Sequence, residues 1–406
     1  MRRRVLITGL GVVSPVGVGA DAFWRGLTAG ATGLTEAPAE LERVGAKVVA
    51  AVKDFSGIAY LQNERHARIL NRTFELLVGA GALAAADAGL RATPIPPPRL
   101  GVIVGIGPID QYTDDLLDAV RAAKTDQGMD VARFAEAARA MYPLRRLRLL
   151  PNIGAAVLSI EHKAMGPSLT LVSGHVTGIQ AIAEGLAMIR EGKVDAVLCG
   201  GADSRLTPLG LRLFGRLCPL SQSDDPYSAC RPFDRSRDGV AAGEGAAVLL
   251  LEAEDSARAR GVEAYAELVS CASAGPTEGG CAESMRQALK RSPSLSGRAP
   301  DVVVAHGEGG VQSDRLEAAA LDLASPRCVT SLQPAIGHTM SACGALNMAA
   351  ACLILADGRV PGIRSLESPE MNLPFALEEV TGTFDSALVN AIEPDSFSSS
   401  ALITRV

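Results

Sequence analysis

Histidine and cysteine are the residue types of this 406-residue chain best suited to metal binding, disulfide formation or nucleophilic catalysis. The histidines show no spacing typical of metal ligands and the cysteines form no C-x-x-C pair, so the sequence predicts neither a metal site nor a cofactor. Scattered cysteines in a chain of this size are typical of free thiols in a reducing cytoplasm, the location we predict. The positions are His66, His162, His175, His306 and His338, and Cys199, Cys218, Cys230, Cys271, Cys281, Cys328, Cys343 and Cys352.

Two segments of the chain share one pattern. In each, a β-like run passes through a short polar loop into an apolar helix that stops at a glycine. The segments are 169–194, with its stop at Gly192, and 329–360, with its stop at Gly358, an offset of 166 residues. The second helix is apolar nearly all round, which predicts that it is buried between layers. The offset is far longer than a solenoid repeat and indicates two homologous halves.

Apolar strand candidates alternate with helices throughout the chain. This alternation predicts an α/β fold with a largely parallel sheet covered on both faces. We expect the two halves to be residues 1–254 and 255–406 and to pack as five layers, α-β-α-β-α. The strand candidates are VLITGLG, RLGVIVG, SLTLVS, DAVLCGG, AAVLLLE, DVVVAHG and CVTSL.

Composition narrows the possible functions. Hydrophobic residues make up 48% of the chain and charged residues 21%, which is typical of a protein with a sizeable core. A net charge of −6 without a long basic tract argues against nucleic-acid binding, and 4% aromatic residues argue against base stacking. No apolar run reaches the ~18 residues that span a bilayer. The opening MRRRVLITGLGVVSP reads as a first strand rather than a signal peptide.

Several motifs together resemble the β-ketoacyl synthase family, which has the thiolase-like fold. They are the opening VLITGLGVVSPVGVG, the strand VDAVLCGGAD (194–203) and the long signature RPFDRSRDGVAAGEGAAVLLLE (231–252). GPSLTLVSGHVTG, VVVAHGEGG and SLQPAIGHTMSACGAL fall in the family's order and spacing, so the resemblance covers essentially the whole chain. It implies decarboxylative Claisen condensation between an acyl chain and a malonyl unit on an acyl carrier protein.

The position of the family's nucleophile is His175. The family reads roughly A-C-x-x-G at the junction of strand and helix, and this chain reads Gly174-His175-Val176-Thr177-Gly178. A helix N-terminus stabilises a thiolate but disfavours a charged imidazole, so histidine gains nothing from that field. An acyl-imidazole also hydrolyses easily, and we therefore expect His175 to be a non-nucleophilic plug or polar contact.

His306 and His338 stand where the family keeps its two histidines. The family's lysine position, five residues before the second histidine, holds Gln333, which carries no charge to bias a neighbour's protonation. Glu308 replaces a small hydroxyl residue, and its carboxylate would repel a developing enolate unless it points to solvent or pairs with Arg315. We treat these positions and His175 as a degenerate catalytic site.

The C-terminal segment departs furthest from the family. The family's glycine-rich stretch corresponds to residues 390–398, and the chain has no glycine from 383 to its end. Glycines there permit the positive φ angles and close approach of an oxyanion loop. Pro394 and two acidic residues predict a stiffer loop of the wrong charge.

A chain that keeps the motifs of the ketosynthase family but lacks the nucleophilic cysteine resembles the chain length factor of type II polyketide synthases, which pairs with an intact ketosynthase. The resemblance implies that an apolar strand before His175 pairs across a heterodimer axis. It also implies that Ile109, Tyr112 and Leu116 line the substrate tunnel. A surface helix with an apolar inner edge explains the same residues equally well.

A second segment, 142–150, carries three arginines among leucines, at Arg145, Arg146 and Arg148. We assign them to contact with a partner, either the ketosynthase or an acidic carrier protein; arginines that simply coat a helix explain the same pattern. Two other functions stay open: a stand-alone malonyl-carrier-protein decarboxylase or acyltransferase using His175, His306 and His338, and a scaffold that retains only the fold.

Overall fold

The computed structural model describes residues 3–108, 113–139, 143–275, 280–290, 299–393 and 397–406. Ten strands form the main path of its 13-stranded sheet: β1 (Val5–Ser14), β2 (Leu100–Ile106), β3 (Ser168–Leu171), β4 (Ala196–Ser204), β5 (Ala242–Ala253), β6 (Ala266–Ala274), β7 (Val302–Val304), β8 (Cys328–Thr330), β9 (Ser386–Ile392) and β10 (Ser398–Thr404). Its longer helices are α1 (Ala20–Thr28), α2 (Arg72–Asp87), α3 (Thr113–Ala123), α4 (Val131–Arg139), α5 (Ile153–Glu161), α6 (Thr177–Arg190), α7 (Pro208–Leu217), α8 (Glu254–Arg260), α9 (Gly280–Lys290), α10 (Val311–Ala324) and α11 (Cys343–Asp357).

Shorter elements connect these strands and helices. Four-residue helices span Ala39–Glu42 and Gln333–Ile336, and 3-10 turns span Gly57–Tyr60, Glu64–Ile69, Pro97–Arg99, Pro143–Leu149, Gly174–Val176 and Met340–Ala342. Minor strands lie at Gly17–Val18, Leu34–Glu36, Val48–Ala50, Lys124–Thr125, Gly128–Met129, Arg359–Val360 and Val380–Thr381.

The two halves have the same strand order. It runs β3-β2-β4-β5-β1 in the first half and β8-β7-β9-β10-β6 in the second, and β1 joins β6 across the middle. In each half the second, third and fourth strands are mutually parallel, and the fifth strand lies antiparallel between the fourth and the first. The duplication predicted from the sequence is therefore present in the topology. Four of the five strands in each half run in one direction, as a largely parallel sheet requires, and the fifth strand alone is reversed.

Three apolar layers hold the sheets and helices together. One cluster packs α2 and α5 against the first half, another packs α10 against the second, and the largest surrounds α6 and α11 between the halves. Every residue of α11 from Cys343 to Leu355 is buried, as its all-round apolar sequence predicts. The five-layer α-β-α-β-α arrangement is confirmed, while the boundary at residue 254 stays a prediction.

The two central helices stop near the glycines that the sequence marked. Helix α6 ends at Arg190 and is followed by Gly192 at φ 72°, and α11 ends at Asp357 and is followed by Gly358 at φ 73°. Glycine adopts this left-handed conformation at little cost, so the chain can turn away from each helix.

One helical stretch, Met340–Asp357, is long and apolar enough to cross a membrane by length and composition, but 89% of it is buried inside the protein. This burial is that of a core helix.

Strand β3 forms the outer edge of the first half. It pairs with β2 on one side, and none of the described strands pairs with its other side. Leu169 is 38% exposed and Val172 is 44% exposed, and Ile160 and Met165 close by in the sequence are also exposed. An apolar edge strand with open hydrogen-bonding groups is a template for pairing with another chain.

Candidate active site

Parallel strands bring the predicted site residues to one place. The carboxyl ends of β7, β8 and β9 lie at one sheet edge, because these strands run parallel. His306 follows β7, Gln333 and His338 follow β8, and Glu393 follows β9. The other half delivers His175 from the end of β3, and the polar ends of the two halves therefore meet.

The N-termini of the two central helices touch at this site. A Cβ on Gly178, at the start of α6, would lie 2.9 Å from the Ser341 carbonyl oxygen and 3.1 Å from the Ala345 amide nitrogen. This close approach needs glycine, and it brings the rings of His175 and His338 to a centroid distance of 4.4 Å.

His175 lies in the 3-10 turn before α6, and its amide is already bonded. The amide N–H donates to the Glu393 carboxylate. This backbone donor at the N-terminus of α6 is therefore already used by a side chain of the protein. The preceding Gly174 has φ 76°, and a Cβ there would lie 2.0 Å from Glu393 Oε2. The family's alanine at this position would therefore exclude the carboxylate.

Glu308 lies between the two family histidines. Its Oε2 atom is 3.4 Å from His306 Nε2 and 3.3 Å from His338 Nε2. Ser313 donates to the other carboxylate oxygen, and the side chain is 3% exposed. Burial alone would raise the pKa of Glu308, but His306 and His338 hold it well below its usual range. The carboxylate is thus an anion enclosed by the protein.

Glu308 adopts neither of the two arrangements that would keep its carboxylate away from the site. The side chain does not point to solvent, and Arg315 pairs with Glu370 at 2.6 Å instead. Glu308 turns inward because the loop after β7 is fixed from outside. Asp314 on α10 accepts the Gly309 amide at 3.2 Å.

Burial and neighbouring groups shift the pKa values of His175 and Glu393. The pKa of His175 lies well below its usual value because the ring is buried and lies beside His338 and His306. Burial also raises the pKa of Glu393, although its bond to the His175 amide opposes this.

Burial alone would lower the pKa of His338, but Cys343 and Glu308 raise it to about 10. The Met340 amide nitrogen lies 3.1 Å from Nδ1 of His338, and in the neutral ring Nδ1 accepts this bond while the proton is on Nε2.

Gln333 and Cys343 complete the wall behind His338. The Gln333 amide nitrogen lies 3.3 Å from the His306 carbonyl oxygen and 3.5 Å from Cys343 Sγ. Cys343 is buried at the start of α11, 3.8 Å from His338 Nδ1. Burial raises the pKa of this thiol, but His338, His306 and Thr339 lower it below its usual value. Gln333 therefore orients the loop of His306 by hydrogen bonding alone.

Sequence reasoning missed the groups that hold the loop of His306. The Glu317 carboxylate of α10 accepts the amides of His306 and Gly307, each at 2.8 Å. Asn390 on β9 donates to the same carboxylate at 3.1 Å. A buried acid eleven residues after a histidine leaves no local signal, because its role depends on helix α10 packing over the strand ends.

The C-terminal segment is a strand hairpin rather than one loop. Asn390, Ala391 and Ile392 complete β9, Ser398 begins β10, and residues 394–396 lie outside the described residues. The prediction of a loop over 390–398 is therefore wrong for its two ends, because apolar and serine residues there pair in antiparallel register. Glu393, expected to be an unfavourable charge, binds the His175 amide.

The predicted tunnel and partner residues are described only in part. Ile109 and Tyr112 lie outside the described residues, and for Leu116 the structure describes the backbone, within α3. Arg145, Arg146 and Arg148 lie in the 3-10 turn Pro143–Leu149, and of their side chains that of Arg148 is described. Arg148 Nε donates to the Arg68 carbonyl oxygen at 3.2 Å, so part of its guanidinium serves the chain itself. The tunnel and partner roles stay predictions.

The seven cysteines whose side chains the structure describes are free and buried. The prediction of no metal site rested on spacing along the chain. The fold shows why spacing does not decide it: His175, His306, Glu308 and His338 come from three separate segments, and their potential ligand atoms lie within 4.8 Å of one another.

This fold is that of the ketosynthase family. The chain belongs to the β-ketoacyl synthase family: the family's N-terminal domain matches residues 2–257 and its C-terminal domain matches residues 261–367.

Curated relatives in the family are named as synthases. The chain is 33% identical to a putative polyketide beta-ketoacyl synthase 1 of Streptomyces halstedii, over 91% of this chain and 90% of the relative. It is 31% identical to the tetracenomycin polyketide synthase ketoacyl synthase alpha subunit of Streptomyces glaucescens, over 91% and 88%.

Solved structures agree with this placement. The ishigamide ketosynthase/chain length factor superposes with a TM-score of 0.87 at 26% identity, over all of both chains. A beta-ketoacyl synthase from Burkholderia phymatum STM815 gives 0.86 at 26% identity, also over all of both chains. The predicted family and thiolase-like fold are confirmed.

Proposed function

We propose that this chain is the non-condensing subunit of a type II polyketide synthase, a chain length factor that pairs with a cysteine-containing ketosynthase and helps to shape its chain tunnel. The observation that carries the proposal is the filling of both halves of the site by the chain's own carboxylates. Glu393 takes the amide at the helix N-terminus, and Glu308 lies between His306 and His338.

The histidine at position 175 and the carboxylate of Glu393 each remove a different requirement of the condensation reaction. Without a thiol at His175 there is no store for a covalent acyl intermediate, and losing a nucleophile costs on the order of a million-fold in rate. Losing one oxyanion donor to Glu393 costs roughly a hundred- to thousand-fold. These losses do not add as independent terms, but the missing nucleophile alone accounts for a non-condensing subunit, and the occupied amide weakens the site further.

The outer edge of β3 supports the pairing role. Its residues Ser168–Leu171 are half-buried or exposed in the single chain, and Leu169 and Val172 are apolar. A second ketosynthase-like chain hydrogen-bonded to this edge would continue the sheet and cover them. We expect an obligate interface of about 2,000–5,000 Å².

The alternative function, decarboxylation of a malonyl carrier protein, is less well supported by the geometry. A malonyl carboxylate placed between His306 and His338 would meet Glu308 at the same point. Two unit charges 4 Å apart repel by about 4 kcal/mol at an effective dielectric constant near 20, which is about a thousand-fold in binding.

Co-expression with a cysteine-containing ketosynthase tests the proposal. We expect a one-to-one complex by native mass spectrometry, and no carbon dioxide release when this chain alone meets malonyl-loaded carrier protein. Release by the isolated chain that His306→Ala abolishes would establish the decarboxylase function instead. In the complex, Tyr112→Ala should lengthen the product if Tyr112 limits the tunnel.

A matched pair of variants tests the interface. Leu169→Asp places a charge on the open strand edge, whereas Leu323→Asp places the same charge on α10 at a side chain that is 77% exposed. We expect the first variant to abolish the complex and the second to leave it intact. Equal retention of both complexes would remove β3 from the interface.

A further inference from the structure

We propose that His175, His306, Glu308 and His338 form a binding site for one divalent metal ion, with Zn²⁺ as the ion that fits best. We call these four residues the His3Glu cluster. Their potential ligand atoms all lie within 4.8 Å of one another, and each residue is at most 4% exposed. The proposal concerns the same residues as the proposed function but does not depend on pairing with a second chain.

Several nitrogen atoms of the cluster are buried without a hydrogen-bond partner in the described part of the chain. They are Nδ1 of His175, both ring nitrogens of His306, and Nε2 of His338. A buried polar atom left unpaired costs about 1–3 kcal/mol, so three such rings in mutual contact are expensive without a common partner. A cation at their centre would satisfy one nitrogen of each ring.

The distances fit metal ligands better than hydrogen bonds. Glu308 Oε2 lies 3.4 Å from His306 Nε2 and 3.3 Å from His338 Nε2, whereas charge-assisted N–H···O bonds are about 2.7–2.9 Å long. A tetrahedral Zn²⁺ site with bonds of about 2.0–2.1 Å has edges of about 3.3–3.4 Å between ligand atoms. Both measured separations fall on that edge length.

The donor set selects the ion. Imidazole suits Zn²⁺ and its transition-metal neighbours, whereas Mg²⁺ and Ca²⁺ prefer oxygen ligands. Three imidazoles and one carboxylate would fill a tetrahedral shell with protein ligands alone, and a shell without an open position fits a structural rather than a catalytic zinc ion. The ion would also compensate the buried charge of Glu308. We therefore infer a metal that stabilises the fold at the junction of the two halves.

Binding requires two small adjustments. The ligand atoms all lie within 4.8 Å of one another, so no pair has to close by more than roughly 1.5 Å to reach a tetrahedral edge. A metal on Nε2 of His338 moves the ring proton to Nδ1, so the Met340 amide, now 3.1 Å from Nδ1, has to turn away. Cys343 Sγ, 3.8 Å from Nδ1, is then the acceptor nearest to that proton.

Metal analysis of the untagged full chain tests the proposal. After desalting, we expect one Zn²⁺ per chain by mass spectrometry of the elements, its removal by a strong chelator, and its return on adding Zn²⁺ alone. With free Zn²⁺ a hundred-fold above its Kd, the midpoint of thermal unfolding should rise by about 3 °C. Metal content well below one per chain after addition, with no shift of the midpoint, would overturn the proposal.

Variants separate this site from adventitious binding. The double variant Glu308→Gln/His338→Gln removes two of the four ligands and should lower the metal content from one to near zero, whereas the control His162→Gln, outside the cluster, should keep it at one. Equal metal in both variants shows adventitious binding only and refutes the site.

Cobalt gives a second readout that does not rest on a loss. Co²⁺ in the wild-type chain should show the intense visible absorption of a tetrahedral ion, and His175→Cys should add a thiolate-to-cobalt charge-transfer band. If His175→Cys binds Co²⁺ without that band, His175 is not a ligand and the proposal is wrong. Leu169→Asp, the interface variant, should leave the metal content unchanged, so failure of the pairing role and of the metal site are distinguishable.

Discussion

Replacing Gly174 with alanine should destabilise the protein through its contact with Glu393. The new Cβ would lie 2.0 Å from Glu393 Oε2, at a residue whose φ is 76°. The left-handed conformation costs a non-glycine residue about 1–2 kcal/mol. Expelling the carboxylate removes its bond to the His175 amide, which is worth about 1.5–3 kcal/mol for a charged acceptor. The two costs together are about 2.5–5 kcal/mol.

The assay is the midpoint of thermal unfolding. An unfolding entropy of ~2.1 cal/mol/K per residue gives about 0.85 kcal/mol/K for 406 residues, so Gly174→Ala should lower the midpoint by about 3–6 °C. Gly192→Ala is the matched control, because Gly192 has φ 72° and no atom within 4 Å of the point that a Cβ would occupy. Only the conformational cost remains there, and its midpoint should fall by about 1–2 °C.

A double-mutant cycle identifies the contact. In a Glu393→Ala background the carboxylate is gone, so adding Gly174→Ala should cost only the conformational 1–2 kcal/mol. If Gly174→Ala lowers the midpoint by the same amount with and without Glu393, the two residues are not coupled. In that case the position of the Glu393 carboxylate would not depend on the glycine at 174.

Two further predictions concern ion pairs away from the site. Hydrogen bonds from Arg99 and Arg3 lower the pKa of Asp195 to about 2. The ionised Asp195 therefore adds about 1–2 kcal/mol to the free energy of unfolding, a small value because the group is partly exposed. This contribution is present above pH ~4 and is lost as the pH falls toward 2. Asp195→Asn should therefore unfold at a lower temperature than wild type at pH 6 and at nearly the same temperature at pH 2; a gap that persists at pH 2 would contradict this. Arg260→Met leaves the buried Glu252 carboxylate without its 2.9 Å partner and should cost about 3–5 kcal/mol, or 4–6 °C, whereas a second change, Glu252→Gln, should restore at least half of the loss.

Strands and central helices were predictable from the sequence because their signals are local. Apolar runs predict β2, β4 and β7, and a glycine marks the end of each central helix. These signals can be read without reference to the rest of the chain. Strands β6, β9 and β10 carry mixed serine, alanine and apolar residues, and the partner that sets the pairing of β6 lies more than a hundred residues away. These strands were therefore missed.

The site positions were predictable by family spacing, but their contacts were not. His175, His306 and His338 lie where the sequence placed them, at the ends of strands. The direction of Glu308 depends on the loop that Asp314 and Glu317 hold from α10, and no sequence pattern gives that direction. A signal did exist for Glu393: glycine replaces the family's alanine at 174, and that change is what admits the carboxylate.

Strand β3 ends three residues before Gly174, so the open edge of the sheet and the polar centre are one continuous piece of backbone. A neighbouring subunit hydrogen-bonded along Ser168–Leu171 would therefore fix the peptide that carries His175. Pairing would thus restrain the backbone that leads into the site, beginning three residues before Gly174.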